Sequence, residues 1–119
     1  METFAPLSRR EVTFDTAADV IVVGLGAAGA AAVIEAREAG ADVLAIERTS
    51  GGGGSSAMAG GYVYLGGGTR VQKANGFDDT PDEMFKFMMA VTPEPDAEKI
   101  RLYCDHSVAH FDWMERQGV

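Results

Sequence analysis

The sequence predicts an α/β chain: a strand–helix–strand unit in the first half, then two helices in the second. Three stretches carry the first part of that prediction. Asp19-Val20-Ile21-Val22-Val23 is a short apolar run rich in β-branched residues, the pattern of a strand buried in a parallel sheet. Ala30 to Ala39 is alanine-rich, free of Pro and Gly, and is followed by Gly40, which suits a helix closed by a left-handed C′ residue. Val43-Leu44-Ala45-Ile46 is a second apolar run that ends on Glu47. Two such strands joined by a helix within about 30 residues form a βαβ unit.

The second half reads as two helices. Thr80-Pro81-Asp82-Glu83 places an N-cap Thr, a Pro at N1 and a Glu at N3, the signature of a capping box. The helix it opens carries Met84, Phe85, Phe87, Met88 and Met89, and Pro93 and Pro95 close it. Asp96 is the expected cap of the next helix, where Ile100, Tyr103, Ser107, Phe111 and Met114 recur at helical spacing up to Gly118. Residues 1–17 are polar and irregular and are expected to form an arm.

Composition limits the function. Hydrophobic residues make up 46% of the 119, which is ordinary for a globular chain. A formal net charge of −8 argues against nucleic acid or an anionic membrane as partner. No apolar run approaches the roughly 20 residues of a membrane span. The single Cys104 excludes an internal disulfide, and the N-terminus shows no apolar signal region. A cytoplasmic location is expected. Oligomeric state is not legible from the sequence.

Between the first strand and the helix lies Gly24-Leu25-Gly26-Ala27-Ala28-Gly29. A lone G-x-G-x-x-G says little, but here it joins a strand to a helix, and an acid, Glu47, ends the next strand about 20 residues on, as the dinucleotide fingerprint requires. Gly24 serves the tight turn, Gly26 lets backbone approach a pyrophosphate, and Gly29 allows helix and strand to pack closely. The helix N-terminus, with Ala27 and Ala28 in its first turn, offers N–H groups and a positive dipole end to phosphates. Glu47 would accept hydrogen bonds from an adenosine ribose and repel a 2′-phosphate. The architecture is therefore a Rossmann-like βαβ. The competing explanation, that the glycines serve packing alone, requires all these placements to coincide.

Gly51 to Gly68 is half glycine, nine of eighteen residues. Each glycine held in regular structure costs about 0.5–1 kcal/mol relative to Ala, so this stretch is either a flexible linker or is ordered by a ligand. It begins where the strand ends on Glu47, which favours the ligand. The order of an acid, then Gly51-Gly52, Ser55-Ser56 and Ala59-x-Gly61 with Gly60 between, resembles FAD-dependent enzymes of the fumarate reductase and 3-ketosteroid dehydrogenase flavoprotein family. Gly24, Gly26, Ala28, Gly29, Glu47, Gly51, Gly52, Ser55, Ser56, Ala59, Gly60 and Gly61 carry that resemblance. The Tyr-Leu-Gly-Gly-Gly-Thr and Gly-Phe-Asp-Asp pieces are most similar to its 3-ketosteroid Δ4-(5α)-dehydrogenase branch.

The resemblance implies FAD as cofactor and residues 18–119 as the N-terminal part of an FAD-binding domain, with the remainder and the catalytic acid–base group expected beyond Val119. It implies an apolar, ketosteroid-like small-molecule substrate that loses hydride and proton to form a C=C bond. The alternatives are a fumarate-reductase-like enzyme reducing a small unsaturated acid, or a non-catalytic nucleotide-binding fragment. Only Arg70 and Lys73 follow the glycine region closely, which mildly favours an uncharged substrate. Ser55 and Ser56 could donate to phosphate or ribityl oxygens, and the amides near Ala59, Gly60 and Gly61 could lie against the flavin. Arg48 lies near the adenine or faces solvent. Gly66 to Gly68 has no assigned contact and is a candidate for facing the substrate. Tyr62 and Tyr64 are expected to share one face of a strand, packing a core or meeting the flavin. His106 and His110 have a chelating spacing but no third ligand, so no metal is expected. Cys104 reads as a buried helix residue.

Overall fold

The computed structural model describes residues 12–119. The expected arm falls on residues 1–11, outside the described residues, and on residues 12–17, which form no helix or strand. The chain divides into two compact units, the first ending at Gly61 and the second running from Tyr62 to Val119.

The first unit is built on strand β1 (Val20–Val23), helix α1 (Ala27–Glu38) and strand β2 (Val43–Ile46). The strands pair in parallel with Val20 opposite Val43 and Val23 opposite Ile46. The ladder is extended at one end by Val20 N–H donating to the Asp42 carbonyl (3.1 Å) and at the other by Gly24 N–H donating to Ile46 (2.7 Å). Helix α1 closes as its sequence dictates: Gly40 N–H bonds Arg37 O (2.9 Å) and Ala41 N–H bonds Ala36 O (3.0 Å), the paired bonds of a Schellman motif.

Within this chain Ile21 is 58% and Val23 80% exposed. A parallel sheet is buried when helices cover both faces, and this unit supplies one α-helix for two strands. After β2 comes a 3-10 helix, Gly54–Met58, which the glycine content had hidden.

The second unit contains α2 (Arg70–Ala74), α3 (Pro81–Val91) and α4 (Ala97–Arg116), one helix more than the sequence predicts. Its core is Met84 of α3 against Ile100 and Cys104 of α4, with Phe85, Met88 and Met89 packed around them. Fully burying such a side chain contributes about 1.5–3 kcal/mol. Arg101 joins the two helices at the rim. It lies 4.7 Å from the Phe85 ring centroid and bonds Asp82 Oδ1 (2.8 Å) and Asp105.

Thr80 caps α3 through Glu83 N–H (3.2 Å), but the reciprocal half of the expected box is absent. Thr80 N–H instead donates to Asp79 Oδ1 (2.8 Å), and Glu83 pairs with Lys86. A complete capping box occurs at α2, between Thr69 and Gln72. Asp96 caps α4 through Lys99 N–H (3.1 Å), and Gly118 closes it as Gly40 closes α1. Tyr62 to Tyr64 form no strand. A strand needs a ladder partner; here the Tyr64 carbonyl accepts the Tyr103 hydroxyl and the Tyr64 ring stacks on Phe87.

Candidate functional site

The turn between β1 and α1 uses its three glycines for three different reasons. Gly24 has φ +93°, a conformation strained for residues with a side chain. Gly29 sits where a Cβ would fall on the Gly24 carbonyl oxygen, so helix and strand could not approach. Gly26 answers to neither constraint. Its backbone is extended, with φ −72° and ψ −175°, and a Cβ there would meet only Ser56 Oγ at 3.8 Å and the Gly53 carbonyl oxygen at 3.9 Å. The chain's own atoms leave room for a methyl group at 26, so the space beside it is open to a ligand.

What faces that space is a set of donors. Gly26 is the N-cap of α1 and no side chain caps it. The N–H groups of Gly26, Ala28 and Gly29 lie in the part of a helix that has no intrahelical acceptor. Ala27 N–H donates to Ser56 Oγ (3.1 Å). The first turn holds no acid, so nothing there competes with an anion for the amides or the dipole. A dinucleotide pyrophosphate fits this donor set.

Glu47 is bound into the same place. Its Oε2 accepts Leu25 N–H at 2.8 Å, and its Oε1 lies 2.9 Å from Thr49 N and 3.0 Å from Thr49 Oγ1. The Leu25 amide above all, then the Thr49 amide and hydroxyl, hold this carboxyl down from an ordinary 4.5 to about 2; hydrogen bonds to the charged form favour it. Thr49 Oγ1 also lies 2.8 Å from the Gly51 carbonyl oxygen. From the glycine stretch, Gly53 N–H donates to the Leu25 carbonyl (2.6 Å). Gly53 has φ +116°, and a Cβ there would stand 2.7 Å from Ala57 Cβ.

The structure thus gathers Gly24, Gly26, Ala27, Ala28, Gly29, Glu47 and Ser56 around one turn. Gly52 abuts it, since a Cβ there would lie 3.3 Å from Leu25 Cβ. Arg48, Ser55, Gly60 and Gly61 are exposed, and of these the Arg48 amide meets the group through the Glu47 carboxylate. Ala59 only caps the 3-10 helix, through Ser56 O (3.1 Å). Sequence reasoning missed Leu25, Thr49 and Gly53. Thr two residues after Glu47 was the available signal, because a Thr at that spacing can bond back to the carboxylate.

The second glycine run, in the second unit, is built differently. Gly66 to Thr69 are buried. Gly66 N–H donates to Ser107 Oγ (2.9 Å), Gly67 N–H to Asp79 Oδ2 (2.8 Å) and Gly68 N–H to Gln72 Oε1 (3.0 Å). Gln72 Nε2 in turn donates to Asp79 Oδ2 (2.7 Å). The Gly67 amide, ahead of Gln72 and the Thr80 amide, lowers the Asp79 carboxyl against the opposing effect of burial. A substrate-facing role for this run is therefore replaced by an internal one. Along α4, Lys99, Leu102, Tyr103, His106, Ser107 and His110 line a shallow groove. Among the described residues no three His, Cys, Asp or Glu side chains gather as a metal site, and no helix is long and apolar enough to cross a membrane.

Residues 19–119 match the model of the FAD binding domain family. The chain belongs to this family. FAD is accordingly the cofactor of the domain, and the domain fold combines helices with a small parallel sheet. The crystal structure of 3-ketosteroid-Δ4-(5α)-dehydrogenase from Rhodococcus jostii RHA1, in complex with 4-androstene-3,17-dione, is 57% identical with a TM-score of 0.84. That likeness covers 98% of this chain and 24% of that one. The 3-oxo-5-alpha-steroid 4-dehydrogenase of Comamonas testosteroni is 43% identical over 114 residues, 94% of this chain and 21% of its own length. A cytochrome-type fumarate reductase of Shewanella frigidimarina is 36% identical over 85% of this chain and 18% of its own length. The FAD binding domain sequence in hand therefore spans about a fifth to a quarter of these relatives.

Proposed function

We propose that the protein bearing this FAD binding domain is a flavin-dependent dehydrogenase that forms a C=C bond in a 3-ketosteroid. The observation that carries it is the 57% identity, across 98% of this chain, to a dehydrogenase solved with a ketosteroid. Bound FAD supplies the hydride acceptor for such a step. The substrate loses hydride from one carbon and a proton from its neighbour, and the two electrons left behind form the new π bond. No residue of this chain is assigned the proton transfer.

This chain's share of the work is to hold the dinucleotide. In this reading the βαβ unit is the start of a Rossmann-like domain. The amides of Gly26, Ala28 and Gly29, with the Ser56 hydroxyl bridging from Ala27, meet the pyrophosphate. Glu47 accepts from the adenosine ribose, with Arg48 at the rim near the adenine. Gly52, Ser55, Ala59, Gly60 and Gly61 lie along the rest of the cofactor. The buried, lone thiol of Cys104 is compatible with the cytoplasmic location expected from composition.

The test is a visible spectrum of the intact protein, followed by anaerobic titration. A flavin spectrum, FAD rather than FMN released on denaturation, and bleaching by a 3-oxo-5α-steroid are the expected results. A colourless protein that binds a nicotinamide nucleotide would sink the proposal. Bleaching by no ketosteroid, with reoxidation of the chemically reduced flavin by fumarate, would move it to the reductase branch.

A further inference from the structure

We infer that Glu47 is a positioning residue for the pyrophosphate-binding turn: its carboxylate ties the turn after β1 to the turn after β2 and so aims the amides at the head of α1, whether or not a sugar is present. This inference rests on the FAD reading above and adds to it, because an acid at this place needs only a ribose partner to satisfy that reading.

The geometry is specific about which groups are fixed. Leu25 is held from both sides, its N–H by Glu47 Oε2 (2.8 Å) and its carbonyl by Gly53 N–H (2.6 Å). A trans peptide is planar, with its C=O and N–H pointing in opposite directions. Fixing the Leu25 carbonyl on Gly53 therefore turns Gly26 N–H the other way, away from Gly53. Fixing Leu25 N–H on Glu47 orients the preceding peptide plane as well, so two consecutive planes are set. The other carboxylate oxygen accepts Thr49 N–H (2.9 Å), which anchors the acid to the end of its own strand.

Only a carboxylate suits this role, since it accepts at both ends and donates at neither. In Glu47→Gln one oxygen becomes an NH2 group that would face either Leu25 N–H or Thr49 N–H, donor against donor. One of the two ties must break. A turn whose amides are already aimed binds an anion more tightly than one that must be ordered first.

A double-mutant-style cycle separates positioning from sugar contact. The intact protein and its Glu47→Gln variant are stripped of flavin and titrated with ADP and with 2′,3′-dideoxy-ADP. The amide exchange rate of Leu25 is measured in both without nucleotide. Positioning predicts that the variant binds the dideoxy nucleotide about tenfold more weakly than the parent does, the scale of one charge-assisted hydrogen bond. It also predicts Leu25 exchange at least several-fold faster in the variant, a readout that loss of a sugar contact would not move. Equal dideoxy-ADP affinity in the two proteins, with unchanged Leu25 exchange, overturns the inference and leaves FAD binding standing. A parent that binds neither ADP nor FAD overturns the FAD reading instead, and Leu25 exchange then decides the inference alone. Should Glu47→Gln fail to fold, Glu47→Asp serves. It keeps both acceptors but is one methylene short, so faster Leu25 exchange supports the inference and parental exchange contradicts it.

Discussion

The glycine-rich segments of the first unit and of the second have opposite constructions. Around Gly66 to Gly68 the protein supplies its own acceptors, Ser107, Asp79 and Gln72, to successive amides. Around Gly24 to Gly29 and Gly51 to Gly54 the bonds run from one loop to the other, and among the described residues the amides of Gly26, Ala28 and Gly29 at the head of α1 have no protein acceptor. Glycine is common to both because close backbone approach is common to both. What the backbone approaches differs: the protein's own side chains in one case, and in the other an open space that the proposed function fills with an anion. A glycine run is thus read by where its N–H groups go.

Substitutions can break that comparison, and the largest expected effect is at Gly29. Gly29→Ala drives a Cβ onto the Gly24 carbonyl oxygen, and strain of this kind costs about 3 kcal/mol or more. The denaturation midpoint of the intact protein should fall whether or not FAD is present. Next comes Asp79→Ala, which strands Gly67 N–H and Gln72 Nε2 at a cost of about 2 kcal/mol. Its thermal midpoint should drop while the FAD dissociation constant of the folded protein stays put. A loss of FAD affinity without loss of stability would place the second run in the cofactor site after all.

Gly26→Ala is the mirror case. The chain tolerates the added methyl, so the flavin-free midpoint should hold within about 0.5 kcal/mol, while FAD affinity falls at least tenfold, about 1.4 kcal/mol. Retained flavin at parental affinity would show that nothing lies against Gly26.

A smaller effect is expected from pH. Because the folded Glu47 carboxyl sits near 2 rather than 4.5, its contribution to stability is fully present above pH 4.5 and is lost as pH falls towards 2. The parent midpoint should therefore decline more steeply across that window than that of Glu47→Gln. Parallel declines would mean the acid is not held by these bonds. The smallest change belongs to Arg48→Ala, an exposed side chain at the rim of the proposed site, where stability should stay within about 0.5 kcal/mol of the parent and FAD affinity should fall by no more than about threefold.

Much of this was legible because it depended on local rules. The βαβ unit followed from two apolar runs and an alanine-rich segment between them, and the caps at Thr80, Asp96, Gly40 and Gly118 from single residues. The three roles of Gly24, Gly26 and Gly29 had been expected from spacing, and the structure adds the Cβ test that tells them apart. The misses share a cause. The strand at Tyr62 to Tyr64 and the role of Gly66 to Gly68 both depend on what a segment meets far away in sequence. Ser107, for example, reaches Gly66 from 41 residues further along. Thr69-Arg70-Val71-Gln72 did carry a capping-box signature, but a helix of five residues is too short for periodicity to confirm. The 3-10 helix at Gly54–Met58 was hidden by composition, since glycine argues for a loop wherever it is dense.

The Thr49 hydroxyl stands within bonding distance of two acceptors, Glu47 Oε1 and the Gly51 carbonyl, but carries one proton. It can satisfy only one at a time. When the proton points to Gly51, a lone pair on the carboxylate opens towards any hydroxyl that arrives; when it points back, that lone pair closes. Thr49 is in this sense a one-proton valve on the acid, moved by a single bond rotation. On the proposed function, a sugar hydroxyl arriving at Glu47 would exchange the Thr49–Glu47 bond for the Thr49–Gly51 bond, so the Thr49 proton would not be left without an acceptor.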